Sequence, residues 1–202
     1  MSTLAVVATT AEVLARPELG EHLLARWELD RLALVRRPDR RADVLAARLL
    51  VRLCAARLTG QPVAEVALAQ LCEGCGRSGH GRPYLPGRPG VGISLSHADG
   101  VVAAAAGPGP VGVDVEPAGR RPPPPAVLRR VLPAAGAASG AEWLRRWVRA
   151  EAEYKAGPGE WRPEEWTDAP RAAVAAVASR GPVSVVELGS LGSLDSPGSL
   201  GI

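Results

Sequence analysis

Apolar residues recur along this chain with two periods, every second residue in some stretches and every third or fourth in others, and the changes of period divide it into elements. The β-branched and Ala run from Leu4 to Thr9 predicts a first strand. From Glu18 to Val35 the spacing of Leu19, Leu23, Trp27 and Leu34 predicts a helix. Asp39 to Leu58 carries the clearest helical signal, with Val44, Leu45, Leu49, Val51, Leu53 and Leu58 at three- to four-residue steps, a polar face mostly of Arg, and Gly60 to stop it. A short helix is expected from Ala64 to Leu71, then a Gly- and Pro-rich loop from Gly74 to Gly90. Strands are expected at Val91 to Leu95, Val101 to Ala106 and Val111 to Glu116, and the turn chemistry of Ala98-Asp99-Gly100 and of Gly107 to Pro110 predicts that they are neighbours in a meander.

The run Arg121 to Pro125 fits neither a helix nor a central strand and marks a changeover. Ala141 to Ala156 predicts a strong helix closed by Gly157-Pro158-Gly159, and Arg171 to Ser179 and Pro182 to Leu188 predict two more strands. From Gly189 the repeat of Gly, Ser and Leu predicts a disordered low-complexity tail. The division is thus an N-terminal half at residues 1–120, a C-terminal half at 121–188 and a tail at 189–202, in an α+β fold.

Composition sharpens this picture in a few places. With 202 residues the chain can bury one substantial core or two small ones, and with 3% aromatic residues and no Phe that core is filled by Ala, Val and Leu. The five Trp then mark the core or a site. Lys155 is the lone lysine among 24 basic residues, in a chain whose Arg, Ala, Gly and Pro skew suggests a GC-rich, actinobacterial coding sequence, so its retention asks for a specific reason. The net charge of +3 does not imply nucleic acid, although arginines crowd the stretch from Arg31 to Arg57 and could present a local surface to an anion. Three cysteines and no apolar leader argue against a secreted disulfide scaffold, and no apolar stretch is long enough to span a bilayer, which predicts a soluble cytoplasmic protein with no membrane partner.

Candidate chemistry sits at three places. In Gly112-Val113-Asp114-Val115-Glu116 two carboxylates lie two residues apart in an apolar strand and leave the same face, the pattern of a divalent-cation motif; a solvated acidic strand end is the plain alternative. In the helix around Trp147, Glu151 and Lys155 those residues are spaced by four and form one stripe, which an exposed Glu-Lys pair would also produce. Trp143, Trp147 and Tyr154 are expected to anchor this helix to the core. In Ile93-Ser94-Leu95-Ser96-His97 an apolar strand ends in a hydroxyl and an imidazole that can both donate to phosphate oxygens, with Arg82 on a Gly- and Pro-held loop upstream and no cue for a serine hydrolase elbow.

In order and spacing these pieces resemble the Sfp-type 4′-phosphopantetheinyl transferase family, whose pattern reads Gly-Lys-Pro, Ser-His, Gly-x-Asp-x-Glu and Trp-x-x-Lys-Glu-x-x-x-Lys. The match is specific from Gly81 to Gly159 and looser over Arg36 to Arg57. The resemblance implies two α/β halves related by a pseudo-twofold axis, with coenzyme A in the cleft between them, and transfer of phosphopantetheine to a serine of an acyl or peptidyl carrier protein. It further implies that Asp114, Glu116 and Glu151 hold magnesium, that Arg82, Ser96 and His97 bind the coenzyme A phosphates, that Lys155 faces the diphosphate, and that Glu151 is the base. Arg31, Arg37 and Arg41 fall in the region that meets the 3′-phosphate. A monomer is the family expectation. The chain departs from the pattern at Arg82, Ser94, Ala98 and Ala150, and its second half reads shorter than the family's.

Two readings stand beside this one. A catalytically silent relative would bind coenzyme A or a carrier without turnover, and a small basic nucleic-acid module is disfavoured by the scarcity of aromatics. Separately, Cys72-Glu73-Gly74-Cys75 with His80 is part of a zinc pattern that lacks a fourth ligand unless Cys54 or His22 supplies it; two small loop cysteines are the alternative.

Overall fold

The chain opens as strand β1 (Thr3–Thr9), and Thr9 turns it into the short helix α1 (Thr10–Leu14), its hydroxyl accepting from the Glu12 amide while the Glu12 carboxylate accepts from the Thr9 amide. The computed structural model describes residues 1–72, 74–121, 123, 127 and 141–191. After a 3₁₀ turn at Glu21–Leu23 come α2 (Arg26–Ala33) and the long α3 (Pro38–Thr59), which ends on Gly60 at φ 69°, a left-handed conformation that glycine adopts at no steric cost. The helix expected across Glu18 to Val35 is therefore broken, because Leu24 is extended and α2 starts afresh where the Glu28 carboxylate accepts from the Ala25 amide at 3.0 Å.

The expected helix at Ala64 to Leu71 is also absent: Val63–Glu65 is a 3₁₀ turn and Ala69–Leu71 is strand β2. β2 pairs with β3 (Arg82–Tyr84), a strand inside the segment expected to be only loop. β4 (Val91–Ala98) and β5 (Val101–Pro108) form the expected hairpin, joined by Asp99 and Gly100 at φ 23° and 86°, the positive values that a two-residue turn demands. β6 (Gly112–Pro117) does not continue the meander. It crosses to a second sheet and pairs with β8 (Ala173–Ser179), which pairs in turn with β7 (Arg162–Asp168), a strand the sequence pattern did not reveal. α4 (Ala141–Ala156) precedes β7, and β9 (Val183–Val185) returns to run parallel to β1.

The result is a mixed α+β fold with a six-stranded sheet in the order β2-β3-β4-β5-β1-β9 and a three-stranded sheet in the order β6-β8-β7. β6, from the stretch assigned to the N-terminal half, thus lies in the sheet built with C-terminal strands. The strand expected to reach Leu188 ends at Val185, and Leu188 with residues 189–191 of the expected tail forms a 3₁₀ turn in which Leu188 and Leu191 are buried, while 192–202, like most of the run from 122 to 140, lie outside the described residues.

Period-two alternation explains the layers. On β1 and β5, Val6, Ala8, Val102, Ala104 and Ala106 face α3, while Ala5, Val7, Ala103 and Ala105 face Val113, Val115, Ala175 and Val177 of the second sheet. The far face of that sheet, Val174, Ala176 and Ala178, carries Trp143, Leu144, Val148 and Ala152 of α4. Four layers follow: helix, sheet, sheet, helix. Each fully buried Val or Leu contributes about 1.5–3 kcal/mol, and the many Ala let the layers approach closely. Gly112 sets the closest approach, since a Cβ there would collide with the Ala152 carbonyl of α4. Among the described residues no helix is long and apolar enough to cross a membrane.

Candidate functional site

Where the β2 to β4 side of the first sheet meets β6 and the C-terminal end of α4, a cleft of about 1040 Å³ opens. Ile93 to His97 of β4 line it. Ser94 and Ser96, both buried, face β6: the Ser94 hydroxyl accepts from the Val113 amide at 3.0 Å, and the Ser96 hydroxyl donates to Asp114 Oδ1 at 2.7 Å. Lys155 enters from α4 and spends all three of its donors here, on Asp114 Oδ1 at 2.7 Å, Ser96 Oγ at 3.0 Å and the Val113 carbonyl at 3.1 Å. The lone lysine of the chain is thus the link between three elements. An arginine's planar fork does not offer three donors from one atom, which gives the retention of lysine its reason.

Asp114 is 5% exposed, and its second oxygen, Oδ2, is buried with no hydrogen-bond partner. Such an acceptor costs about 1–3 kcal/mol unless something occupies it. Glu116, two residues on, leaves the same face and is buried, paired with Arg120, whose guanidinium stacks on the Trp147 ring at 5.2 Å. Asp114, Glu116 and Lys155 all line the cleft. Glu151 lies one helical turn before Lys155, half-buried; burial pushes its carboxyl above the ordinary range, and the neighbouring Asp114 charge pushes the same way against Lys155 and Arg120. It is close enough to feel Asp114 but is not among the cleft-lining residues. The three carboxylates do not form a compact ligand set, since among the described residues only Cys72, Cys75 and His80 have donor atoms within 4.8 Å of one another. Lys155 and Arg120 instead take one acid each.

Further basic groups line the cleft. Arg82 on β3 lies against Gly157 at the C-terminal end of α4, where a Cβ would collide with its guanidinium, and cations are favoured at that helix end. His97 at the end of β4 lines both the cleft and a side pocket of about 170 Å³ that it shares with Arg37, Arg40 and Asp43. Burial holds the His97 imidazole below its ordinary value, with Asp43 opposing and Arg40, Lys155 and Arg48 adding to the depression.

The arginine expectations divide. Arg37 reaches the side pocket, paired with Asp39. Arg31 is exposed on α2, Arg41 is paired with Glu21 at 2.6 Å, and neither lines the cleft or the side pocket. The reason is helical rotation: one residue along α3 is about 100° around its axis, so Arg41 faces the Glu21–Leu23 turn when Arg40 lines the side pocket with His97. The residues that sequence reasoning missed are Arg40 and Arg48, which with Val44 make an i, i+4, i+8 stripe along α3 toward the two cavities. Tyr154 is 81% exposed at the cleft mouth and does not anchor α4, which Trp143 does. Cys54 is wholly buried in α3, its thiol pushed up to about 12 by burial, and neither it nor His22 belongs to the Cys72 cluster. No protein-family model matches the chain and no curated protein matches it either, so the residues of this cleft are what speak for its function.

Proposed function

We propose that the protein is a magnesium-dependent 4′-phosphopantetheinyl transferase, moving the phosphopantetheine arm of coenzyme A onto a serine of an acyl or peptidyl carrier protein. The observation that carries this reading is one cleft lined together by a buried acid with an unmatched oxygen, Asp114, by Glu116 and Lys155, and by Arg82 and His97. Acids and cations lining one cleft suit a ligand that is itself a diphosphate with a divalent ion. The helix-on-sheet construction of each half supports the two-halves architecture that the sequence resemblance implies.

Of the three acids the resemblance implies, Asp114 and Glu116 line the cleft, and Asp114 Oδ2 and the Glu116 carboxylate are the oxygens that would hold magnesium, a hard cation that takes one or two carboxylates together with substrate phosphates; Glu151 stands outside that lining. Bound there, the ion would neutralise charge on the diphosphate. The remaining work falls to the chain. His97, Arg82 and Arg48 hold phosphate oxygens and fix the diphosphate along the cleft. Glu151, whose raised affinity for a proton suits a general base, takes the proton of the carrier serine. The serine oxygen then bonds to the β-phosphorus, the bond from that phosphorus to the bridging oxygen breaks, and 3′,5′-ADP departs with its charge met by Lys155 and Arg82. Ser96 positions Asp114 and Lys155 with respect to one another.

The second reading, a silent coenzyme A binder, has one observation in its favour: Asp114 and Glu116 already have cations of the chain as partners. One experiment separates the two. The protein is mixed with magnesium, coenzyme A and a panel of apo-carriers, and carriers are weighed by mass spectrometry while coenzyme A binding is followed by calorimetry. The mass gain of one phosphopantetheine supports the transferase; binding without transfer supports the silent relative; neither binding nor transfer sinks both.

A further inference from the structure

We propose that Cys72, Cys75 and His80 hold one zinc ion, with a water completing the tetrahedron. Their donor atoms, two sulfurs and an imidazole nitrogen, all lie within 4.8 Å of one another, and Cys75 Sγ is 3.3 Å from His80 Nε2. Zinc bonds of about 2.0–2.3 Å at a tetrahedral centre place neighbouring ligand atoms roughly 3.4–3.8 Å apart, so small side-chain movements complete the geometry. Two thiolates and a neutral imidazole are the donors that borderline-soft zinc takes and that magnesium and calcium avoid.

The backbone has the shape such a site needs. Cys72 donates its amide to the Arg77 carbonyl at 3.0 Å and its carbonyl accepts from the Gly76 amide at 2.8 Å, bonds that bring Gly76 and Arg77 back against Cys72. Gly76 sits at φ 67°, a conformation that a side chain would strain. At the other end, Gly81 at φ 89° packs so closely on Leu71 and Cys72 that a Cβ would collide with their backbone, so the segment closes on itself and brings His80 back to the cysteines.

The need for a staple is equally visible. From Leu71 to Tyr84 no described residue is buried, and β2 and β3 are three residues each. Short strands at a sheet edge with no buried side chain of their own gain most from a crosslink or a metal. Arg82 follows His80 by two residues and lines the cleft, as does Cys72, so the ion would fix where this arginine stands. The site is independent of the transferase reading, and its test does not require turnover.

The full-length chain is purified under reducing conditions, stripped with a chelator, reloaded with zinc, desalted and assayed for metal. Stoichiometric zinc is expected, falling by roughly tenfold or more in Cys75→Ser and in His80→Ala and staying in Cys54→Ala. Cobalt in place of zinc is expected to give thiolate charge-transfer absorption and the visible bands of a tetrahedral centre. Amide exchange over residues 70–82 is expected to quicken on stripping while α3 is unchanged. Zinc content that stays substoichiometric after reloading, that survives in both ligand variants, or that gives way to a Cys72–Cys75 disulfide under reducing conditions would overturn the proposal.

Discussion

Two buried carboxylates, in two regions of the molecule, are treated in opposite ways. Glu28, fully buried between α2 and α3, has both oxygens matched: Arg48 donates to Oε1 at 2.7 Å, and Arg52 and the Ala25 amide donate to Oε2. Asp114, between β4, β6 and α4, has one oxygen crowded by Ser96 and Lys155 and the other with nothing. The unmatched groups of the first region are donors instead, the buried Nε atoms of Arg48 and Arg52, and Arg48 faces the cleft. The buried carboxylate of the first region is thus matched at both oxygens, and that of the second at one. Asp114, with the unmatched acceptor, and Arg48, with an unmatched donor, both line the cleft.

The largest effect that tests this contrast is on stability. Glu28→Ala strands the buried Arg52 and its neighbour Arg48 without a counter-charge, which costs about 3–5 kcal/mol. Thermal unfolding should show a melting point lower by roughly 6–20 °C in a chain of this size. Asp114→Asn is expected to do the reverse in kind, holding the melting point within a few degrees while transfer falls by about 10²–10³-fold. Glu151→Gln should share that loss of transfer. A variant at Asp114 that unfolds as readily as Glu28→Ala, or one at either acid that keeps full transfer, breaks the distinction.

The next effect in size belongs to the seam between the sheets. Ser94→Ala leaves the buried Val113 amide without its acceptor, a cost of about 1–3 kcal/mol. Because Val113 flanks Asp114, the substitution should lower both the melting point and the affinity for divalent ions, measured by calorimetry. Ser94→Thr keeps an acceptor and is expected to restore part of both. An alanine variant with unchanged melting point would show that the hydroxyl does not hold the seam.

How much of this was legible in the sequence follows from which forces set each element. β1, α3, β4, β5, β8 and α4 announce themselves because each buries a face whose period survives in the residue pattern. β7 does not, since its side chains are exposed or half-buried and Pro163 sits near its start, tolerable only because it is an edge. The stretch Ala64 to Leu71 has apolar residues at helical steps but is claimed by pairing with β3, a tertiary contact invisible to spacing. In the site, Asp114, Ser96 and Lys155 were found from local motifs. The partner of each was not, because Lys155 on Asp114 and Arg120 on Glu116 depend on the angle at which α4 and the turn after β6 return. The sheet assignment of β6 was missed for the same reason: its hydrophobic face says only that it is buried, not against which neighbour.

The smallest expected effect is a pH dependence among the basic groups of the cleft. His97 is held below its ordinary value by burial, with Arg40, Lys155 and Arg48 adding and Asp43 opposing, so near neutral pH it is uncharged in the ligand-free chain. The folded state resists its protonation, so stability present above about pH 6.5 declines as pH falls below that unfolded-state value. A bound phosphate would reverse the preference by pairing with the imidazolium. Affinity for 3′,5′-ADP, measured by calorimetry, should therefore rise a few-fold from about pH 8 to pH 6, with proton uptake on binding, before protonation of the phosphate itself near pH 6 works against it. His97→Gln keeps a donor but cannot take up the proton, so it should bind with a flatter profile and no linked uptake. An identical profile in the variant would assign the pH dependence to the phosphate alone and remove His97 from the ligand's contacts.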